Sequence, residues 1–492
     1  MKLKTLLAGP AWAALTFAVT ACTPGGIKES NGAPRPMVAS APAPGFDPSG
    51  IVMVAAHGKP KHVPLTKPAV PELTARERSL APFFAQLKAL QDGTRKEPVT
   101  ILQIGDSHTA GDFLSGQMRK LFQDKFGGSG RGFSPPGFPD KYYRPDLLDV
   151  TETKGWQRQR SMDPNSTEKF GLAGVTQKAS GPAQSMQMSS IEDQGFDRGM
   201  VEVLGGGQFT LTVDNAPPRN FNLPAGNNAG DWVEFDVPKG SHTLKLDTLD
   251  GSNLTLLSWG IQRQSPGILY SNLGTIGATA KLIERWDASI VQSEMQHIDP
   301  ALILIAFGTN EAFGNPNDLA TFRSDFVADV NMLAKAAPDA AIVIIGPPDV
   351  NRRYRRPAGV GGDCSARPLQ GAALITTTQP APQPAKPGKK PQKARAPRTV
   401  WAPPPELAAI RADEQNAAEA QGWYFWDWDA AMGGPCSAAR WAAAGTPLAQ
   451  KDHVHQTIAG YQLSGERLFA DLMKAYDHYK AVESAHNRTG PH

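Results

Sequence analysis

The sequence predicts an α/β fold built on a parallel sheet and interrupted by an inserted all-β sandwich. Two patterns carry that expectation. Short apolar runs alternate with longer stretches of helical periodicity, as in parallel strands joined by crossover helices. Between residues 150 and 262 this rhythm gives way to short period-two runs separated by turn residues. The 492 residues suffice for roughly two or three domains with large cores.

Composition narrows the class. With 40% hydrophobic and 20% charged residues the chain reads as globular, and its 48 glycines and 43 prolines require substantial loops or linkers. The formal net charge is +3, and the only charged residues before Cys22 are Lys2 and Lys4. The remainder is close to neutral, which argues against a nucleic-acid partner.

The N-terminus reads as an export signal. Met1-Lys2-Leu3-Lys4 is basic, and Leu6 to Ala18 is apolar and small apart from Pro10. Val19-Thr20-Ala21-Cys22 then resembles a bacterial lipobox. The expectation is a signal peptide over 1–21, lipidation of Cys22, and a periplasmic body held by lipid to a bacterial membrane, the outer one. An ordinary secretory signal with a chance cysteine is the competing reading. No later stretch reaches the ~18 apolar residues of a membrane span. Residues 22–70, rich in Pro, Ala, Gly and Ser, read as a flexible tether.

Residues 71–149 open the α/β part. Thr74 is a cap for a helix whose Leu80, Phe83, Phe84, Leu87 and Leu90 recur at helical spacing. The run from Val99 to Ile104 reads as a buried strand that stops in Gly105-Asp106-Ser107. Ligands of open α/β sheets bind at the carboxyl ends of strands. A serine there, beside a glycine that permits a sharp turn, is a candidate nucleophile. It is equally a helix N-cap. Phe113, Met118, Leu121 and Phe122 predict a helix behind it, and 127–145 read as a Gly/Pro/aromatic loop that walls a site or is plain surface.

The 150–262 segment supplies the predicted strands 208–213, 232–237, 242–246 and 254–259. Its Trp156, Trp232 and Trp259 suit either a core or a sugar platform. The α/β pattern resumes over 263–350, with a strand at 301–307, a helix from Leu319 to Ala337 and a strand at 341–346. Residues 351–405 interrupt it as a basic, Pro-rich insertion expected to be disordered. Between Cys364 and Pro405 there are seven basic residues and no acidic ones, suited to anionic envelope polymers or to solvent alone. Residues 406–482 complete the α/β part, with a helix at 405–420, a strand at 423–428 and a terminal helix from Ala459 to Val482; 483–492 form a tail. Once Cys22 is lipidated, Cys364 and Cys436 remain as a candidate disulfide across the irregular segment, or as two free thiols.

Two further strand-end signals join Ser107: Gly308-Thr309-Asn310-Glu311, and Asp452-His453-Val454-His455. A serine, an asparagine amide and an Asp/His pair suit acyl transfer. With Gly274-Thr275-Ile276-Gly277-Ala278-Thr279 as a further block, the sequence resembles the SGNH (GDSL-like) hydrolase family. Four blocks in chain order carry the resemblance, over about 97–145, 260–350 and 400–475. It implies a three-layer α/β/α fold with Ser107 as nucleophile, His455 as its general base and Asp452 as the group orienting the imidazole. It also implies an oxyanion hole from the backbone N–H groups of Ser107 and Gly277 and the Asn310 amide. Ala278 stands where the family has aspartate, which leaves Gly274 as an alternative to Gly277. Glu311 stands where aspartate is commonest. His453 competes with His455, and the Asp-x-x-His spacing favours His455. No Cys/His cluster supports a metal, and no cofactor is expected.

The arrangement is most similar to the two-domain peptidoglycan O-acetylesterases of Gram-negative bacteria, which carry a sandwich resembling a carbohydrate-binding module between their first two blocks. That resemblance implies removal of muramic-acid O-acetyl groups through an acetyl-serine intermediate. Its partners would be O-acetylated peptidoglycan or another acetylated glycan, and a membrane through lipidated Cys22. The alternative is a periplasmic O-acetyltransferase acting on peptidoglycan or an exported polysaccharide. A non-catalytic wall-binding protein is disfavoured by the complete Ser/Asn/Asp/His set.

Overall fold

The computed structural model describes residues 72–180, 183–249, 254–316, 319–355, 364 and 399–489. The expected signal peptide, Cys22, the tether and most of the basic tract lie outside them. No helix among the described residues is long and apolar enough to cross a membrane.

A six-stranded parallel sheet organises the α/β part. Its order is Tyr424–Trp426, Ala341–Ile345, Pro300–Ala306, Val99–Gly105, Ile268–Gly274, Gly128–Gly130. Val99–Gly105 and Pro300–Ala306 lie side by side in the middle, buried at every position. Burial on both faces requires apolar residues at odd and even positions alike, hence the unbroken runs in the sequence. Leu102, Ile104, Ile303 and Ile305 face one core with the helices Ala288–Ile298, Leu319–Ala336 and Leu407–Gln421. Ile101, Leu302 and Leu304 face the other, with Ala81–Gln91, Phe113–Phe126 and Ile458–Thr489. The result is three layers, α/β/α.

Residues 148–262 build antiparallel structure. One sheet runs Arg219–Leu223, Gly207–Val213, Thr243–Thr248, Ser185–Ser190, Leu148–Glu152. The other runs Asp231–Ser241, Phe196–Leu204, Thr255–Gln262, Val175–Ala179, Trp156–Arg160. Alternate residues of Ser185–Ser190 and Thr243–Thr248 are buried, which gives one wet and one apolar face. Met188, Phe209, Leu211 and Leu246 of the first sheet share a core with Val201, Val203, Leu256 and Trp259 of the second. The described residues pack as one compact unit, in which these sheets are continuous with the α/β layers.

Several expectations need correction. The 127–145 stretch is no simple loop. Gly128–Gly130 edges the parallel sheet, and Gly132–Ser134 pairs with Thr255–Gln262 of an antiparallel one. Gly132 has φ +74, and a Cβ there would sit 2.9 Å from Leu269 Cγ; the chain passes between the two sheets only as glycine. The strand over 423–428 is shorter, Tyr424–Trp426, because Asp427 caps a new helix through Ala430 N–H. The terminal helix is longer, Ile458–Thr489. Both ends of the basic insertion are ordered: Arg352–Arg355 pairs with Thr399–Ala402. Cys364 and Cys436 are disulfide-bonded, with Cα atoms 5.3 Å apart.

Candidate active site

Ser107 sits where the central strand turns. A Cβ at Gly105 would approach Ala306 O to 2.6 Å, so only glycine fits against the neighbouring strand. Asp106 is extended, and its carboxylate accepts from His108 N–H at 2.9 Å, capping a short helix, Ser107–Ala110. The two readings of Gly-Asp-Ser are therefore compatible: Asp106 is the cap, and Ser107 is left half-exposed at the first helical position.

Asp452 and His455 arrive from the far end of the chain. Asp452 Oδ1 accepts from the backbone N–H groups of Val454 and His455 at 3.0 and 3.1 Å, which folds the segment into a tight turn. His455 Nδ1 lies 2.8 Å from Asp452 Oδ2, and His455 Nε2 lies 3.0 Å from Ser107 Oγ. Burial alone would raise the Asp452 carboxyl, but hydrogen bonds from the His455 ring and two backbone N–H groups hold it below its ordinary value. His453 has φ +56, and its ring stacks on Trp401 at 4.0 Å. Of the two histidines, His455 is the one whose ring reaches Ser107.

The loops carrying Gly277 and Asn310 meet beside this trio. Thr275 N–H donates to Gly105 O at 2.8 Å, and Ala278 N–H closes a turn onto Thr275 O. Gly277 lies at the exposed tip of that turn with φ +77. Asn310 Nδ2 donates to Ala278 O at 2.8 Å and to Asp106 Oδ2 at 3.3 Å. Glu311 accepts from Gly308 N–H at 2.9 Å and Ala280 N–H at 2.7 Å, tying the two loops together. Gly274, the alternative glycine, packs against the Ser107–Ala110 helix so tightly that a Cβ would fall 2.0 Å from Ala110 N.

Sequence reasoning gave no role to Glu414, His108, Trp428 or Tyr461 around this site, although it gave 127–145 as a stretch that walls a site or is plain surface. Asp106 is fully buried, and burial, reinforced by the nearby Glu311 charge, pushes its carboxyl up to about 8. Glu414, from the helix behind, is also fully buried and held well above its ordinary value by burial and by the charge of Glu311. His108 is pushed down to about 3 by burial and by the neighbouring His455. Its Nδ1 lies 2.9 Å from Tyr461 Oη, and its ring packs against Trp428 and His455. His108, Tyr461 and Trp428 make an uncharged floor under the imidazole.

A cleft beside the Ser107–Ala110 helix is lined by Ala110, Thr275, Ile276, Asp140, Tyr143 and Arg160. Arg160 ends an antiparallel strand and pairs with Asp163 at 2.8 Å. Trp156 and Trp259 are core residues. Trp232 is half-buried and stacks on His297 at 3.8 Å. No group of three or more metal-ligating side chains occurs among the described residues.

Neither a protein-family model nor a curated protein matches the sequence. Solved structures do match. A peptidoglycan O-acetylesterase superimposes at TM-score 0.62 with 25% identity, over 82% of this chain and 98% of that one. The chain resembles an SGNH/GDSL-like esterase. Family two carbohydrate esterases from Clostridium thermocellum (13% identity, 66% of this chain, 98% of that one, TM-score 0.26) and Cellvibrio japonicus (12%, 67%, 98%, 0.25) also match. Likenesses that loose say nothing of activity. What an esterase requires is a serine, a base within hydrogen-bond reach and an orienting carboxylate, and the fold brings these together from a strand end at Ser107 and a turn before the terminal helix.

Proposed function

We propose that this chain is a serine esterase that removes O-acetyl groups from peptidoglycan, working in the periplasm from a lipid anchor at Cys22. The observation that carries the reading is the Ser107–His455–Asp452 relay at 3.0 and 2.8 Å. The likeness to a peptidoglycan O-acetylesterase over most of both chains supports the choice of substrate.

The reaction follows from the geometry. Ser107 Oγ bonds to the acetyl carbonyl carbon while its proton passes to His455 Nε2. Asp452 accepts from Nδ1–H, fixes the tautomer and stabilises the imidazolium. The oxyanion is met by backbone N–H groups of Ser107 and Gly277 and by the Asn310 amide. Collapse breaks the ester bond, and His455 returns the proton to the departing sugar hydroxyl. Water then attacks acetyl-Ser107 by the same route and releases acetate. The His455 and Asp452 side chains are 42% and 48% exposed. An open relay favours water over a sugar acceptor in this second step, because transfer requires water to be excluded.

In the same reading the two antiparallel sheets act as a carbohydrate-binding-module-like domain that positions the glycan. Asp140 and Arg160 line the cleft beside the Ser107 helix and are suited to hydroxyl-bearing substrates. The test is mass spectrometry of protein quenched during turnover of an acetyl ester. Acetyl on the Ser107 peptide is expected; acetyl carried only elsewhere, or steady turnover by Ser107→Ala, sinks the assignment.

A further inference from the structure

The catalytic turn has a second neighbour that the reaction does not use. Asn351 N–H donates to His453 O at 2.8 Å, which fastens the Arg352–Arg355/Thr399–Ala402 ribbon to the turn holding Asp452 and His455. Trp401 of that ribbon lays its indole on the His453 ring at 4.0 Å, with the planes 24° apart. On the ribbon's other strand, Arg353 sets its guanidinium 5.6 Å from the Trp401 ring centroid. Trp401 thus contacts both the His453 imidazole and the Arg353 guanidinium. The ribbon is held from below as well. Asp349, two residues before Asn351, accepts from Cys436 and Ala438 N–H at 3.2 and 2.8 Å, and Cys436 is disulfide-bonded to Cys364.

A guanidinium over an indole face is a favourable contact that narrows the arginine's conformational range. Arg353 is exposed, and a guanidinium held near an indole is pre-organised for bidentate contact with a carboxylate. Arg352 and Arg353 are both exposed, and neither has an ion-pair partner among the described residues.

We propose that Arg353, pre-organised by the Trp401–His453 stack, is a specificity determinant that binds a carboxylate of the acetylated glycan while the ester reaches Ser107. The proposal rests on the peptidoglycan reading only for the identity of the glycan. A muramoyl unit carries its carboxylate in one of two places, on the lactyl ether where no peptide is attached or on the peptide that amidates it, and either is chemically suited to Arg353.

Direct binding separates the possibilities. Calorimetry on the purified protein, with the N-terminal residues through Cys22 removed, is run with N-acetylmuramic acid and with a muramoyl-peptide fragment. Each is compared with its own carboxyl-amidated form. The expected result is that at least one acid binds about fivefold more tightly than its amide, the worth of one charge-assisted contact at a partly exposed site. The ligand that shows the difference names the source of the carboxylate. Arg353→Gln should make acid and amide bind alike, and Arg353→Lys should restore only part of the preference, because it keeps the charge without the planar fork. Equal binding of acid and amide by the unsubstituted protein overturns the proposal, as does a preference that survives Arg353→Gln. Failure of the deacetylase reading shows elsewhere, as absence of acetate release, since these titrations require no turnover.

Discussion

Asn310 Nδ2 lies 3.3 Å from Asp106 Oδ2, so the amide assigned to the oxyanion is held by the residue immediately before Ser107. Its other contact, to Ala278 O, is shorter at 2.8 Å. An amide has two hydrogens, and both are engaged. To meet an oxyanion, Asn310 releases the longer bond and keeps the shorter one as its hinge. Asn310→Ala is therefore expected to lower kcat by about a hundredfold or more with little change in KM, because the donor acts on the transition state. Equal losses in kcat/KM through KM alone would place Asn310 in substrate binding instead.

Asp452→Asn keeps the size of the side chain and removes its charge. Asparagine can present N–H to His455 Nδ1 and favour the wrong tautomer, so kcat should fall by roughly a thousandfold. Circular dichroism should show an unchanged fold. A loss under about tenfold would mean that the imidazole is oriented by something other than Asp452.

Stability should fall as pH rises above neutrality. Asp106 is pushed up to about 8 by burial first and by the Glu311 charge second. Glu202 and Asp329 are pushed up to about 7, burial again leading. Each keeps its proton in the folded protein at a pH where the unfolded chain has lost it. Their stabilisation is complete below the ordinary carboxylate value and disappears as pH rises through the folded values. His108, pushed down to about 3 from 6.5, acts in the opposite sense but only between those values. Thermal unfolding should thus occur at lower temperature at pH 8.5 than at pH 6.5. Asp106→Asn, which can still cap the Ser107–Ala110 helix, should flatten that slope. A midpoint that climbs over the same interval would contradict the assignment.

The disulfide holds the catalytic turn at one remove. Cys436 N–H donates to Asp349, whose strand end leads through Asn351 to His453 O. Cys364 and Cys436 are separated by 72 residues, and closing a loop of that length restricts the unfolded chain by about 2–4 kcal/mol. Cys436→Ser should lower the denaturation midpoint accordingly under oxidising conditions. Reductant should destabilise the unsubstituted protein and leave the variant unaffected; equal midpoints for the two would remove the bond from any stabilising role.

Those residues were legible in the sequence because punctuation marks them. Ser107 follows an unbroken apolar run and a glycine, and Asp452 and His455 stand at a fixed short spacing. The parallel strand Ile268–Gly274 was not legible as such, since Tyr270, Ser271 and Asn272 break its apolar run. They are buried because they are paired: Asn272 donates to Asp112 and Ser115, Ser271 to Arg131 O, and Tyr270 to Gln103. Tertiary partners of that kind leave no periodic trace. The antiparallel strands from Leu148 to Ser190 were missed for a related reason: Thr, Gln, Arg and Ser make up much of them and resemble loop composition, even where Thr176 and Gln177 are buried. The Arg353–Trp401–His453 stack joins three distant segments across the basic tract, and only the fold reveals it.

The account turns on what Ser107 does to an acetylated wall. The direct measurement is acetate released from O-acetylated peptidoglycan by the purified protein, with Ser107→Ala alongside. The account predicts release by the first and a loss of at least about a thousandfold in the second, with the fold unchanged. Release by both, or by neither while a small acetyl ester is turned over, would contradict it.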